Sequence, residues 1–270
     1  MAKRIESPSS INTFKQCKRK YYYNYIEKLP TVPNIHQVRG NIAHSTLEDF
    51  YDIDVTQFSD NYQKEFQRAI QKIFIHQWSQ YGSKLKGLNL TPDKTKFYFE
   101  ETMLMLMNWG NHFVENIKKL MEKKNISLED AFLELTPIRE QQFISEEYSV
   151  RGFIDAIHHC DDEVHILDYK TNARFDMKDS IRLQLGIYSL LYHGKTGVLP
   201  NKVGVFFLRQ KSKYLDVKPE LVELAKTEIH SIHLHTSSTE HIDDYPQTIT
   251  PLCKWSTGQC DFYTTCKPRG

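Results

Sequence analysis

The 270-residue chain lacks the features that would tie it to a membrane or to an oxidising compartment. No apolar run approaches the roughly 20 residues that cross a bilayer. The first residues hold no apolar segment of the kind that directs secretion. A cytoplasmic protein without membrane contact is therefore expected, and in that setting the five cysteines are not expected to pair as structural disulfides. No C-x2-C knuckle is present, which removes the commonest signature of a zinc site. Internal repeats and low-complexity linkers are also missing. A net charge of +1 excludes a simple polycation.

Charge is present, but unevenly. Residues 1–40 hold Lys3, Arg4, Lys15, Lys18, Arg19, Lys20, Lys28 and Arg39 against Glu6 and Glu27. Such a patch suits a polyanion such as nucleic acid, although a solvated helix face is the usual fate of a charge run. The length allows one large domain or two small ones, with ample chain for a core.

Ser7-Pro8-Ser9-Ser10 reads as a helix start, with the helix running through Phe14, Cys17 and Tyr21 towards Ile26 until Pro30 and Pro33. Further helices are expected over about 37–51, 57–81 and 93–123, each with apolar residues at 3–4 spacing. Residues 132–170 read as three strands, with Asp161-Asp162-Glu163 as a hairpin turn. A helix at about 179–193, a buried strand at 203–209, a possible partner at 214–217 and a helix at 219–235 follow. The tail from 236 is polar and cysteine-rich. The expected architecture is one α/β domain over 1–270. It comprises a basic segment (1–36), a helical insertion (52–125), a catalytic core (132–217) and a cysteine-rich tail (236–270).

The segment Arg151–Thr171 is the most informative. It reads as a hairpin with Asp155 on one strand and Asp168 and Lys170 on the next. Strand side chains alternate, so Asp168 and Lys170 share a face. Carboxylates at the inner end of apolar strands are costly unless paired or holding a metal. Two carboxylates beside a lysine are the parts needed to hold a divalent cation and direct water at a phosphodiester. Gln184 and Tyr188, four apart on the following helix, project from one face, with claims on Lys170 or a DNA phosphate and on a plain helix rim. Glu140, on the strand before the hairpin, has even claims on the same cleft and on solvent. His44 lies on a helix among apolar residues; imidazole can complete a carboxylate shell and shifts preference towards manganese.

Cys17, Cys253, Cys260 and Cys266 form a second constellation, the last three spaced C-x6-C-x5-C. Thiolate sets of this kind ligate zinc or iron–sulfur, and without tight knuckles a [4Fe–4S] cluster is preferred. Cys160 reads as a strand residue pointing into the core. His230, His233 and His235 read as a polar helix face, and His158 and His159 carry no assigned role.

Taken in order, these pieces resemble the PD-(D/E)xK nucleases of the RecB type, in particular the iron–sulfur, CRISPR-associated RecB-like exonucleases. The similarity rests on Ser7–Tyr22, on Gly40 and His44, on Gly152 and Asp155, on Asp168 and Lys170, on Gln184 and Tyr188, and on the three tail cysteines. It implies a restriction-endonuclease-like core, a central mixed sheet flanked by helices, with an iron–sulfur tail. It also implies Mg²⁺ or Mn²⁺ held by His44, Asp155, Asp168 and the Tyr169 carbonyl. Lys170 would be the catalytic lysine, with Gln184 and Tyr188 in attendance, and Cys17 and the tail cysteines would join the chain ends around the cluster. The C-x6-C spacing departs from the family's tighter pair, with Ser256-Thr257-Gly258-Gln259 reading as an insertion.

The function so implied is metal-dependent DNA cleavage, as an exonuclease on single-stranded DNA or DNA ends in processing, repair or CRISPR adaptation. Arg19 and Lys20 would meet phosphates, and Tyr21 or Tyr22 would stack on bases. The rival expectation is an accessory iron–sulfur protein that binds DNA ends beside a helicase or integrase.

Overall fold

The computed structural model describes residues 4–255 and 258–267. Ser7 caps α1 (Pro8–Gln16) in a reciprocal box with Ser10, and Pro8 sits at the first turn, where its missing N–H costs nothing. The expected continuous first helix is corrected. Cys17 is extended (φ −162°, ψ 112°) and separates α1 from α2 (Lys18–Tyr21), which runs on into a π-helical turn at Tyr22–Ile26. The break has a cause in tertiary contacts: the Arg19 N–H donates to Pro246 O, and the Thr248 N–H to Cys17 Sγ at 3.5 Å. The tail thus takes over backbone partners that a straight helix would supply to itself.

Asn34 and Gln37 box the start of α3 (Ile35–Phe50). Then come α4 (Tyr62–Gln80), α5 (Gly82–Gly87) and α6 (Pro92–Lys124), which Thr91 caps and Asn125 closes in the left-handed conformation. The span at 57–61 expected as helix is a turn. Residues 132–135, expected in a strand, instead end α7 (Leu128–Leu135). Ser127 caps it through the Asp130 N–H, and Ala131 and Phe132 are its buried side.

Five strands follow: β1 (Ile138–Ser145), β2 (Val150–Cys160), β3 (Glu163–Lys170), β4 (Lys202–Phe207) and β5 (Ser212–Asp216), paired in that order. Only β3 and β4 run parallel, joined through α8 (Asp179–Thr196). After β5 comes α9 (Pro219–Ser238), and the tail carries the short pair β6 (Lys254–Trp255) and β7 (Gly258–Gln259) and the turn α10 (Tyr263–Cys266). The sheet divides the core. One apolar layer joins it to α1, α8 and α9 through Ile11, Ile187 and Ile229; the other joins it to α3, α4 and α6 through Ile42, Ile70 and Leu106. This is an α/β fold with a mixed five-stranded sheet flanked by helices, as a restriction-endonuclease-like core requires. Among the described residues no helix is long and apolar enough to cross a membrane.

Cys160 is exposed at the end of β2, not directed into the core as expected. Nor do the α9 histidines form one polar face. His233 is buried and hydrogen-bonds Tyr148 O at 2.9 Å, and His235 packs edge-on against Tyr245.

Helix α8 is buried on nearly all sides because α9 packs closely behind it. A Cβ on Gly186 would lie 2.7 Å from the Leu221 carbonyl oxygen, a backbone atom that cannot swing aside. Gly186→Ala is expected to destabilise the fold by about 1–3 kcal/mol. Urea unfolding checks this; an unchanged midpoint contradicts the packing described.

Candidate active site

The site is made where two strands stop pairing. Along the β1–β2 ladder, Arg139 faces Ala156 and Gln141 faces Ile154, but Glu140 and Asp155 between them form no ladder pair. Glu140 adopts a left-handed backbone, φ 45°. The buried side chains record the consequence. Ile154 belongs to the α8 layer, yet Ala156, two residues on, belongs to the α3 layer. An uninterrupted strand would keep both on one face. The kink therefore turns β2 at Asp155 and brings its carboxylate to the end of the cleft beside β3.

There, Asp155 Oδ2 accepts the Tyr169 N–H at 2.7 Å and lies 3.4 Å from His44 Nδ1 on α3. Glu140 Oε1 is 3.8 Å from the same nitrogen, and His44 Nε2 is 2.9 Å from the Tyr169 carbonyl. His44, Glu140 and Asp155 present ligand atoms close enough to share one metal ion. On β3, Asp168 is only 2 % exposed. Its Oδ1 accepts from Gln184 Nε2 at 2.8 Å, and the same amide nitrogen donates to the Tyr188 hydroxyl at 2.7 Å. Gly152 makes room for this arrangement, since its missing Cβ would stand 3.1 Å from the Tyr188 ring.

Lys170 Nζ lies 2.8 Å from Asp168 Oδ2 as an ion pair, and that buried oxygen has no other partner among the described residues. A His–Glu–Asp group with a second buried carboxylate, Asp168, on the neighbouring strand is the donor chemistry a hard divalent cation takes. The residues present therefore fit such a metal.

Electrostatics point the same way. Burial, set against the attraction of Lys170 and reinforced by repulsion from Asp155, pushes the Asp168 carboxyl up to about 6. Burial alone would lower His44, but Asp155, Glu140 and Asp168 outweigh it and hold the imidazole well above its usual range. Both ring nitrogens then face oxygens as donors. Without a metal, the proton on His44 supplies the positive charge that the carboxylates require. Burial also opposes charge on Lys170, yet Asp168 prevails and raises its pKa, so the ammonium persists at neutral pH.

Of the residues expected at this site, the structure brings together His44, Asp155, Asp168, Tyr169, Lys170, Gln184 and Tyr188. Glu140 joins them. The expected nucleic-acid residues lie elsewhere, at the clasp of the chain ends. Arg19 Nε donates to Tyr245 O at 2.7 Å, Lys20 lines the cavity of the cysteines, and Tyr22 packs on Tyr245. Tyr21 is corrected: it is fully buried, with its hydroxyl on Glu6 at 2.5 Å, and has no face to offer a base. Cys17, Cys253, Cys260 and Cys266 all line that one cavity, unpaired. Burial raises the Cys266 thiol, and the three other sulfurs add to the rise.

Two expectations follow. Asp168 gains its proton near pH 6 when folded and near 3.8 when free. Its contribution to stability is therefore full below about 3.8 and lost as pH rises through 6, where the buried charge becomes a cost that a cation offsets. Mn²⁺ should raise the melting temperature markedly at pH 8 and little at pH 5, and Asp168→Asn should erase the difference. Equal shifts at both pH values contradict this. Glu140→Gly should relieve the left-handed backbone by about 1 kcal/mol and yet weaken Mn²⁺ binding. Calorimetry of folding and of Mn²⁺ titration checks both signs, and a variant that loses stability refutes the strain.

The family model described as the PD-(D/E)XK nuclease superfamily matches residues 6–267, a span that includes every residue of the cleft. Among solved structures, a candidate exonuclease from Eubacterium rectale is similar over 93 % of this chain and 86 % of its own, at 9 % identity and a TM-score of 0.49. No curated protein matches. A match over nearly the whole length, on a chain whose kinked strands gather these carboxylates and a lysine, makes this protein a member of the PD-(D/E)XK nuclease superfamily.

Proposed function

We propose that the protein is a metal-dependent deoxyribonuclease that acts on single-stranded DNA or DNA ends, most simply as an exonuclease. The observation that carries this reading is the convergence of Asp155, Asp168, Lys170 and His44 on one cleft, with Lys170 paired to the buried Asp168 carboxylate. His44, Asp155, Asp168 and the Tyr169 carbonyl would hold Mg²⁺ or Mn²⁺, with Glu140 as a further ligand. A cation there would make a nearby water more acidic and offset charge on the phosphate. Gln184 holds the Asp168 carboxylate in one orientation and is itself held by Tyr188. Lys170, kept charged by Asp168, is a fixed positive group and hydrogen-bond donor, so its part is to orient the attacking water and draw in the phosphate rather than to remove a proton.

The same reading extends to the chain ends, where Cys17, Cys253, Cys260 and Cys266 would ligate a [4Fe–4S] cluster, as in the iron–sulfur RecB-like exonucleases. Four unpaired cysteines around one cavity are the right donors. The cluster would lock the break at Cys17 against the tail. It would also place Arg19, Lys20 and Tyr22 for contact with a DNA strand in a processing, repair or CRISPR-adaptation role, alone or beside a helicase or integrase.

Nuclease assays on end-labelled single- and double-stranded DNA test the first part. The wild type should cleave with Mn²⁺ or Mg²⁺, and Lys170→Ala should lower the rate by about 100-fold or more. Undiminished cleavage by that variant sinks the mechanism. For the second part, anaerobically purified protein should be brown and contain iron and sulfide, and Cys17→Ser should bleach it. A colourless protein carrying zinc would refute the cluster.

A further inference from the structure

Beyond Lys170, the structure holds a cationic group that the catalytic constellation does not use. Arg209, which follows β4, donates from Nε to the Thr171 carbonyl at 3.3 Å and from Nη1 to Glu101 Oε1 at 2.7 Å. Arg39 on α3 pairs with the other oxygen of the same Glu101. It is 4 % exposed, lies over the Tyr98 ring at 5.3 Å, and has a buried Nε without a partner. Two guanidinium groups thus share one carboxylate, and the described ion pairs give neither a second one. Burial would keep Glu101 neutral, but the two arginines prevail and hold it ionised. One positive charge is left uncancelled.

Glu101 on α6 joins α3 through Arg39 and the β4 end through Arg209, but one carboxylate cancels only one of the two charges. The second is a costly, partly desolvated charge that calls for an anion. Its position fits the cleft. The Leu208 N–H donates to the Lys170 carbonyl at 2.9 Å, so Arg209 follows directly on the residue tied to the catalytic lysine. On α3, Arg39 precedes His44 by five residues, roughly 7.5 Å of helix rise. Gly40 lies between them and faces Thr171, whose Oγ1 would be 3.9 Å from an added Cβ. Arg209 is a quarter exposed, and its Nη2 makes no hydrogen bond among the described residues.

We propose that Arg209, backed by Arg39 and only partly neutralised by the Glu101 carboxylate they share, is a second phosphate subsite that holds the internucleotide phosphate next to the one being cleaved. This rests on the nuclease reading above. A phosphodiester carries one negative charge and two free oxygens, which match the surplus charge and the open edge of the guanidinium fork.

The test is the binding of fluorescently labelled oligothymidine by full-length protein carrying Lys170→Ala, followed over a salt series, with kinetics in the otherwise wild-type chain. Arg209→Gln should weaken binding by about tenfold and make the slope of log affinity against log salt shallower by about 0.7. KM should rise more than kcat falls. Arg209→Lys should restore the slope but not the full affinity. Glu101→Gln, which frees the arginines, should tighten binding severalfold. Unchanged affinity and slope in a folded Arg209→Gln protein overturn the subsite. If that variant does not fold, unchanged or weaker binding by Glu101→Gln overturns it instead. A wild type that cleaves DNA normally while these variants bind as it does refutes the subsite alone; a wild type that cleaves no DNA refutes the nuclease reading.

Discussion

Asp155 sits 8 % exposed at the point where β2 bends, and its carboxylate stitches three elements together. The β2–β3 ladder ends at Ala156 and Leu167, so the Tyr169 N–H beyond it would lack a partner on that side; Asp155 supplies one. The same oxygen faces the His44 ring on α3. An uncompensated buried carboxylate would cost several kcal/mol. The kink at Glu140, the docking of α3 and the path of β3 all bear on that one group. The contacts that shape the cleft are thus also contacts that join β2, β3 and α3.

The rest of the molecule fixes that cleft from outside. Helix α6 reaches over from the insertion, where Asn108 donates to the carbonyls of Leu208 and Gln210 and Glu101 gathers Arg39 and Arg209. The segment after Lys170 is thereby tied to the segment after β4. On the opposite layer α8, buried between sheet and α9, holds Gln184 and Tyr188 with little freedom. At the far end, Glu6 is fully buried and bonded to Ser10 and Tyr21, while its backbone pairs with that of Ser149 and Arg151 at the start of β2. Residues that look like a nucleic-acid patch in the sequence thus divide: Tyr21 serves the core, Arg39 is buried against Glu101, and Lys15 stays nearer solvent.

What could be read from the sequence followed the range of its signals. Asp168 with Lys170, and Gln184 with Tyr188, are pairs set by a strand period of two and a helix step of four, so their faces were legible at once. His44 meets Tyr169 across 125 positions, and only family resemblance connected them. Glu140 stayed undecided because its direction depends on a left-handed backbone that no residue type there announces. The break at Cys17 was hidden for a similar reason: its hydrogen-bond partners come from residues 246–248. The end of α7 reads as strand in the sequence because a short apolar run ahead of three strands looks like more strand. Arg39, Glu101 and Arg209 share no spacing at all; only the fold makes them neighbours.

The central claim is that a kink shared by Glu140 and Asp155 creates a divalent-cation site with His44, Asp168 and the Tyr169 carbonyl. Anomalous scattering from crystals soaked in Mn²⁺ tests it most directly. The account predicts a manganese peak bounded by the His44 ring and the Asp155 and Asp168 carboxylates, and its loss in Asp155→Asn crystals. A cleft without manganese, or a peak that persists unchanged in that variant, would contradict it.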